Sequence, residues 1–404
     1  MLAVLRNRIY RRLFTAHCVG LIGTGILTVA LGLLAYDIAG GDAGAILGVA
    51  MMVKMVAYVF LTPVLSALTS RFRSKQVLVF ADVLRAATAL LLPFVTEAWQ
   101  IYVLIFVLQS ASALFTPALQ ALIPDVVPDE TQYTYALAMT RLSYDAESLV
   151  SPMIAAALLV VMDFNLLFLG TTVGFVVSAL IIVRTAVPEH GGMLVRSFRR
   201  RLLEGVLAFV QRRELRGLLG LNLALSASTS VVVVTTVLVV KDDLGGGSSD
   251  VALLLACFGT GSLTTALIAP RLVRRWPDYS VMFFCVAPMP VVLLSVGASL
   301  IFVPVGTLHW LVPCLWVLFG LFTSAVVTLS GRLLRRFSTE GSRNAIFSGY
   351  FSLSHGFLLV MYPSVGALSA RFGVGPTAIV LSVVSLAGVL TCLAIWRTLL
   401  VRRQ

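Results

Sequence analysis

Charged side chains are scarce in this chain of 404 residues, since only 12% of them are Asp, Glu, Lys or Arg. Soluble domains carry about 25% charged and about 45–50% apolar residues, whereas 59% of this chain is apolar. A water-soluble protein of this size would lack the polar groups needed to cover its surface. The composition therefore excludes a soluble enzyme.

Cysteine and the motifs of bound cofactors are also scarce. The five cysteines stand singly in apolar stretches, with no Cys-x-x-Cys and no His/Cys cluster, which argues against a disulfide framework and a zinc site. The sequence has no G-x-x-x-x-G-K-[ST] loop, no H-E-x-x-H and no Gly-x-Ser-x-Gly elbow. We therefore expect no cofactor, no resident metal and no enzymatic activity.

Long apolar runs are what the chain has in abundance. A helix needs about 20 apolar residues to cross a bilayer, and twelve stretches meet this length. They lie near 13–36, 43–68, 76–96, 99–123, 135–161, 164–186, 215–240, 250–270, 279–303, 308–330, 344–368 and 374–396. We number them spans one to twelve and predict an all-α integral membrane protein with twelve transmembrane helices. The first run is too long for a cleaved signal peptide, so we interpret it as a retained span.

The net charge of +12 is explained by membrane topology. If both termini are cytoplasmic, most of the 30 basic residues fall on the inner side, and only Lys241 and Arg371 fall in outer loops. This asymmetry predicts a multi-pass protein of the cytoplasmic (inner) membrane. It also removes nucleic acid as the expected partner of the basic charge.

The one long polar link divides the spans into six plus six. We predict an N-terminal six-helix bundle at 1–187, a cytoplasmic linker at 188–214 and a C-terminal six-helix bundle at 215–404. LSALTSRFRSK after span two is similar to TALIAPRLVRR after span eight, which favours two pseudo-symmetric halves. The linker is basic and amphipathic, so we expect it to contact anionic lipids at the cytoplasmic face. We expect a monomer.

Several segments resemble one family of transporters. Ser66, Leu68, Thr69, Ser70, Arg71 and Lys75 match the link between spans two and three of the major facilitator superfamily, Gly-x-Leu-Ala-Asp-Arg-x-Gly-Arg-Arg, with serines replacing the glycine and the aspartate. FADVLRA (80–86), FTPALQALIPDVVPDE (115–130) and TRLSYDAESLVSPMIAAALL (140–159) are similar to its drug and siderophore exporters, which include macrolide and enterobactin exporters. The N-terminal half also resembles nickel-resistance exporters.

The resemblance implies transport by alternating access. In that fold spans 1, 4, 7 and 10 line a central cavity, helped by spans 2, 5, 8 and 11. Antiporters of the superfamily carry Gly-Pro-x-x-Gly-Gly in span five, where this chain has Ser151, Pro152, Ala155 and Ala156. Small residues are kept at these positions but the glycines are lost.

Ionisable groups inside membrane spans are costly, so each one is a candidate functional residue. Asp145 is the first candidate for a proton carrier and Glu147 the second, with a structural Asp145–Arg141 pair and a packing role for Glu147 as alternatives. Lys54 in the middle of span two is expected to take part in coupling or to contact substrate. We assign Gln109 to substrate binding. His355 is a further candidate proton carrier, unless a helix carbonyl binds it.

A second set of residues is assigned to gating at the inner side. Asp82 and Arg85 stand three residues apart in span three and are expected to brace the inner gate together with Arg71. Arg141 and Asp125 belong to the same predicted set, Asp125 because its link is acidic. We expect His17 to lie at the membrane interface.

These features predict a secondary active efflux transporter that exports a small molecule by alternating access, coupled to proton antiport. The substrate classes left open are a drug, a siderophore or a metal ion, with protons as the coupling partner. A nickel- or cobalt-type metal exporter is the alternative within transport. A non-transporting receptor or scaffold on the same fold is the alternative of another class.

Overall fold

The computed structural model describes residues 2–61, 72–187, 207, 209–337 and 343–401, and in these ranges it contains helices and no strands. Side chains at some positions inside the helices, those of Arg141 and Asp145 among them, also lie outside the described set. The all-helical prediction is confirmed. Most of the predicted linker, and Arg71, lie outside the described residues.

The helices of the first half agree with spans one to six. They are Arg8–Ala39, Ala43–Val56, Ser74–Leu91, Ala98–Val126, Glu130–Leu159 and Asn165–Val183. A 3-10 turn at Gly40–Asp42 joins the first two, and Gly40 has a φ of +52°, which L side chains rarely adopt. A π-helical turn, Ala57–Leu61, extends the helix of span two.

A capping box stabilises the start of the helix of span four, directly after the short link from span three. The helix of span four begins at Ala98 with Glu97 as N-cap. The side-chain oxygen of Gln100 accepts hydrogen bonds from the backbone N–H groups of Thr96 and Glu97 at 2.9 and 3.2 Å. These contacts satisfy donors that a helix start leaves without partners.

The described part of the second half contains seven α-helices, one more than the six spans predicted there. The helices are Arg213–Leu238, Ser248–Arg275, Asp278–Val286, Met289–Phe302, Val305–Arg336, Arg343–Phe372 and Val374–Val401. Span nine, which the sequence suggests is continuous, is interrupted between Val286 and Met289. Pro288 and Pro290 explain the break, because proline lacks the N–H of a helical hydrogen bond and its ring collides with the preceding turn.

Ten segments of the described chain are long and apolar enough to cross a membrane. The first of them, Arg8–Leu61, is 54 residues long and contains the two helices of spans one and two. The helix of span five, Glu130–Leu159, is not among the ten, although its 30 residues reach about 45 Å at 1.5 Å per residue. With these two adjustments the segments correspond to the twelve predicted spans.

Helix contacts group the chain into two units. The first comprises Met1–Ile38 and Val53–Arg196, and the second Ala39–Met52 and Ser197–Gln404. The predicted boundaries differ from these at 39–52, a segment that packs with the second unit. The glycines of this segment contact span eleven, since a Cβ added at Gly48 would meet the carbonyl oxygen of Tyr362. The division into two six-helix bundles stays a prediction.

Candidate functional site

An ion pair lies in the interior of the first unit. Asp82 and Arg85 are three residues apart in the helix of span three, so they face the same side. Their side chains form an ion pair through Asp82 Oδ1, and the two residues are only 0% and 5% exposed. The hydroxyl of Ser178 in span six donates a hydrogen bond of 2.7 Å to Asp82 Oδ2. The carboxylate is therefore bound on both oxygens.

Two aromatic rings cover the guanidinium of Arg85. Its Cζ atom lies 4.2 Å from the ring centroid of Phe115 in span four and 4.5 Å from that of Phe175 in span six. A cation over an aromatic face is attracted by the ring quadrupole, more strongly where water is excluded. The Nε atom of Arg85 is buried and has no hydrogen-bond partner among the described residues. The arginine thus joins spans three, four and six.

His17 belongs to the same interior. It is 4% exposed, its ring stacks on Phe115 with centroids 6.4 Å apart, and it meets the edge of Tyr144 at 5.3 Å. Its side chain points between spans four and five, and its position at the membrane interface stays a prediction. Its Nε2 atom is buried without a hydrogen-bond partner in the described part of the chain.

Lys54 and Glu147 form a second charged pair, on spans two and five. Both side chains are half-buried. Each is the charged group that acts most on the other, yet they form no ion pair within 4.0 Å in the described structure. The carboxylate of Glu147 lies against span one, since a Cβ added at Gly25 would stand 3.2 Å from Glu147 Oε1.

Two tyrosines connect the pairs. Tyr58 interacts electrostatically with Tyr144, Arg85 and Glu147, and Arg85 in turn interacts with Tyr144. Both tyrosines stand one helical turn from a charged residue, Tyr58 four residues after Lys54 and Tyr144 three residues before Glu147. We call the whole set the interior cluster; it consists of His17, Lys54, Tyr58, Asp82, Arg85, Phe115, Tyr144, Glu147, Phe175 and Ser178. All six helices of the first unit contribute to it.

The other predicted site residues are distributed differently. Gln109 is buried in the helix of span four, and Asp125 is exposed near the end of that helix. His355 belongs to the second unit, where its Nδ1 lies 2.8 Å from the carbonyl oxygen of Phe351 and its ring stacks on Phe351 at 3.9 Å. The Nδ1 atom of His355 is therefore bound by a helix carbonyl, as the alternative interpretation of this residue stated. The side chains of Asp145 and Arg141 are not described.

Sequence reasoning identified the charges of the interior cluster but missed its aromatic members. Tyr58, Tyr144, Phe115 and Phe175 are unremarkable apolar residues within a span. Helical spacing was the available signal, because Tyr58 and Tyr144 each share a helix face with an intramembrane charge. In the described part of the chain no group of three His, Cys, Asp or Glu side chains could hold a metal ion.

Comparison with known proteins identifies the family. A model of the Major Facilitator Superfamily matches residues 13–287, more than half of the chain. The chain belongs to this superfamily. The resemblance and the fold class inferred from the sequence are thereby confirmed, and the protein is a multi-pass membrane protein.

Individual relatives of this superfamily member are distant. Macrolide efflux protein A of Streptococcus pyogenes is 26% identical over 219 residues, which are 51% of this chain and 52% of that protein. Macrolide efflux protein A of Enterococcus faecalis is 28% identical over 190 residues, 43% of this chain and 57% of that protein. The chain thus spans about half the length of the curated relatives it matches.

Solved structures agree on the architecture. A POT family transporter in complex with a thioalcohol-conjugated peptide matches with a TM-score of 0.77 at 12% identity, over 98% of this chain and 97% of that one. At this identity the likeness shows the major facilitator fold alone.

Spans one and five of this superfamily member are in close contact at Ser151. Ser151 is fully buried in the helix of span five, and Gly25 of span one lies directly against it. A Cβ added at Gly25 would overlap both Cβ and Oγ of Ser151. Small residues allow such approach between membrane helices. Here the glycine stands on span one, whereas the family pattern places glycines on span five.

We expect Gly25→Ala to force spans one and five apart at Ser151. Overpacking of this kind costs about 1–3 kcal/mol, because the overlapping Cβ of Ser151 cannot move away by side-chain rotation. The measurement is the apparent melting temperature of the detergent-solubilised protein. The double variant Gly25→Ala with Ser151→Gly should recover the loss. Gly20→Ala is the matched control, since its new Cβ would meet Ser178 Oγ at 3.8 Å, an ordinary contact. Equal melting temperatures for the two alanine variants would contradict this account.

Proposed function

We propose that this protein is a secondary active efflux transporter of the cytoplasmic membrane, with both termini inside, that exports a small molecule in exchange for protons. Superfamily membership supports transport, and the macrolide efflux relatives support the outward direction. The single observation that carries the proton coupling is the Lys54–Glu147 pair. These are opposite charges on two membrane helices that interact electrostatically but form no ion pair within 4.0 Å among the described residues.

The separation of this pair suits a group that changes its protonation. A tight ion pair would hold Glu147 as a carboxylate in every state, whereas a separated pair leaves room for a proton on Glu147 Oε1 or Oε2. An uncompensated charge in a membrane interior costs several kcal/mol. Binding a proton removes the charge of Glu147, and losing the proton restores a counter-ion for Lys54.

The interior cluster surrounds the pair with further polar and aromatic groups. Arg85 is held by Asp82 and by the rings of Phe115 and Phe175. Tyr58 interacts with both Arg85 and Glu147, and Tyr144 interacts with Arg85. The groups that interact with Glu147 are Lys54 and Tyr58 of span two. A scaffold protein has no use for such charges inside the membrane.

Transport by inside-out vesicles tests the proposal. Vesicles that carry the protein and a pH gradient, acidic inside, would be given a radiolabelled macrolide, a ferric siderophore, Ni²⁺ or Co²⁺, and both proton efflux and substrate uptake would be followed. We expect uptake of a macrolide that releases protons and is abolished by a protonophore. Gradient-driven uptake of the metal ions alone would favour the metal-exporter alternative. No gradient-dependent flux of any of these substrates would contradict both forms of export.

A further inference from the structure

The link between spans eight and nine carries an aromatic residue at a helix end. The helix Ser248–Arg275 has Trp276 as its C-cap, and the next helix begins at Asp278. The link therefore consists of Trp276 and Pro277. The N–H of Trp276 donates to the carbonyl oxygen of Leu272 at 3.0 Å, and its side chain is 60% exposed. Tryptophan at the end of a membrane span is typical of the membrane–water interface.

A cavity opens beside this tryptophan, within the second unit. It has a volume of about 370 Å³ and is lined by Leu272, Trp276, Ser280, Val281, Phe284 and Cys285. Leu272 and Trp276 stand four residues apart on one helix, and Phe284 is 66% exposed next to them. The cavity is therefore an apolar recess at the end of two membrane helices, of a size that accepts a ligand.

Exposed arginines adjoin the lining residues in the sequence. Arg271 and Arg275 are exposed, stand four residues apart on one face, and each precedes a lining residue. Arg332 and Arg336 are exposed at the end of span ten. Two acidic groups, Glu214 and Asp278, act on the neighbouring Tyr279. Asp278 pairs with Arg332 at 3.5 Å.

We infer that this recess binds one anionic glycerophospholipid. An acyl chain fills the apolar cavity between Trp276 and Phe284, and the phosphate group contacts Arg271 and Arg275. Charge complementarity selects this occupant, because a neutral lipid would leave the arginines without an anion and a free phosphate would leave the cavity empty. Each basic residue near a membrane surface raises the affinity for anionic lipids about fivefold.

Quenching of Trp276 by brominated lipids tests the inference. The full-length protein would be placed in bilayers with increasing fractions of dibrominated phosphatidylglycerol or dibrominated phosphatidylcholine. The difference in fluorescence between the parent protein and Trp276→Phe isolates the signal of this one residue. We expect phosphatidylglycerol to quench Trp276 at about thirtyfold lower mole fraction than phosphatidylcholine, in line with the contribution of two arginines near the surface.

Charge variants distinguish lipid binding at this recess from a general attraction of anionic lipids to the basic surface. Arg271→Gln with Arg275→Gln should bring the two lipids to equal quenching. Arg8→Gln with Arg11→Gln is the matched control, because it removes two exposed arginines from the end of span one and should leave the preference intact. Equal quenching of the parent protein by both lipids would overturn the inference. The inference would also be overturned if inorganic phosphate, added at constant lipid composition, abolished the preference for phosphatidylglycerol. The same holds if both double variants reduced this preference to the same extent.

Discussion

Replacing Glu147 with Gln is expected to abolish transport driven by a pH gradient while exchange of substrate between the two sides of the membrane continues. Gln keeps the shape of the side chain but neither releases nor accepts a proton. Glu147 is the charged group that acts most on Lys54, and it lies against Gly25 of span one, so a smaller replacement would disturb packing as well as charge. The measurement is counterflow compared with pH-driven uptake in the same vesicles.

Three further variants sharpen this result. Lys54→Met with Glu147→Gln removes both charges and should transport by exchange alone, which distinguishes lost coupling from an unbalanced lysine. Asp163→Asn removes an exposed carboxylate and should leave pH-driven uptake unchanged. Asp145→Asn addresses the other candidate carrier. If Asp145→Asn abolishes coupling and Glu147→Gln retains it, the assignment of the proton to Glu147 is wrong.

The spans could be predicted from the sequence because their determinant is simple. About 20 apolar residues cross a bilayer wherever they occur, and the helices of the described ranges coincide with the predicted stretches. The interruption of span nine could not be predicted in the same way. A proline in a membrane helix kinks it, breaks it or is accommodated according to whether neighbouring groups satisfy the freed carbonyls, and those neighbours are set by tertiary packing.

The charges of the interior cluster were also recognisable, whereas its geometry was not. Lys54, Asp82, Arg85 and Glu147 stand out because ionisable groups are rare in membrane spans. His17 shows the limit. Its place near the start of span one does not reveal that its ring packs on Phe115 and Tyr144. Which face of an almost wholly apolar helix turns inward is decided by contacts among six helices, and hydrophobic periodicity carries little information there.

Removing one member of the Asp82–Arg85 pair is expected to have the largest effect on stability. Asp82→Asn leaves the buried guanidinium of Arg85 without its counter-ion, and breaking a buried pair from one side costs about 3–5 kcal/mol. Ser178 cannot compensate, because its hydroxyl donates to the lost carboxylate and carries no charge. We expect a clear drop in the apparent melting temperature in detergent, larger than that of Ser178→Ala, which removes a single hydrogen bond.

The double variant Asp82→Leu with Arg85→Met separates stability from transport. Apolar replacement of a whole buried ion pair is often neutral or stabilising, and Met at 85 can pack between the rings of Phe115 and Phe175, which thioethers contact favourably. The double variant should therefore melt well above either single variant.

The transport activity of this double variant then reports on the gating role predicted for the pair. Since the stable double variant lacks the charges that would distinguish open from closed states, we expect it to bind substrate and to cycle slowly. Full transport by a stable double variant would reduce the pair to a structural brace, and a double variant as unstable as the singles would show that spans three, four and six depend on the charges themselves.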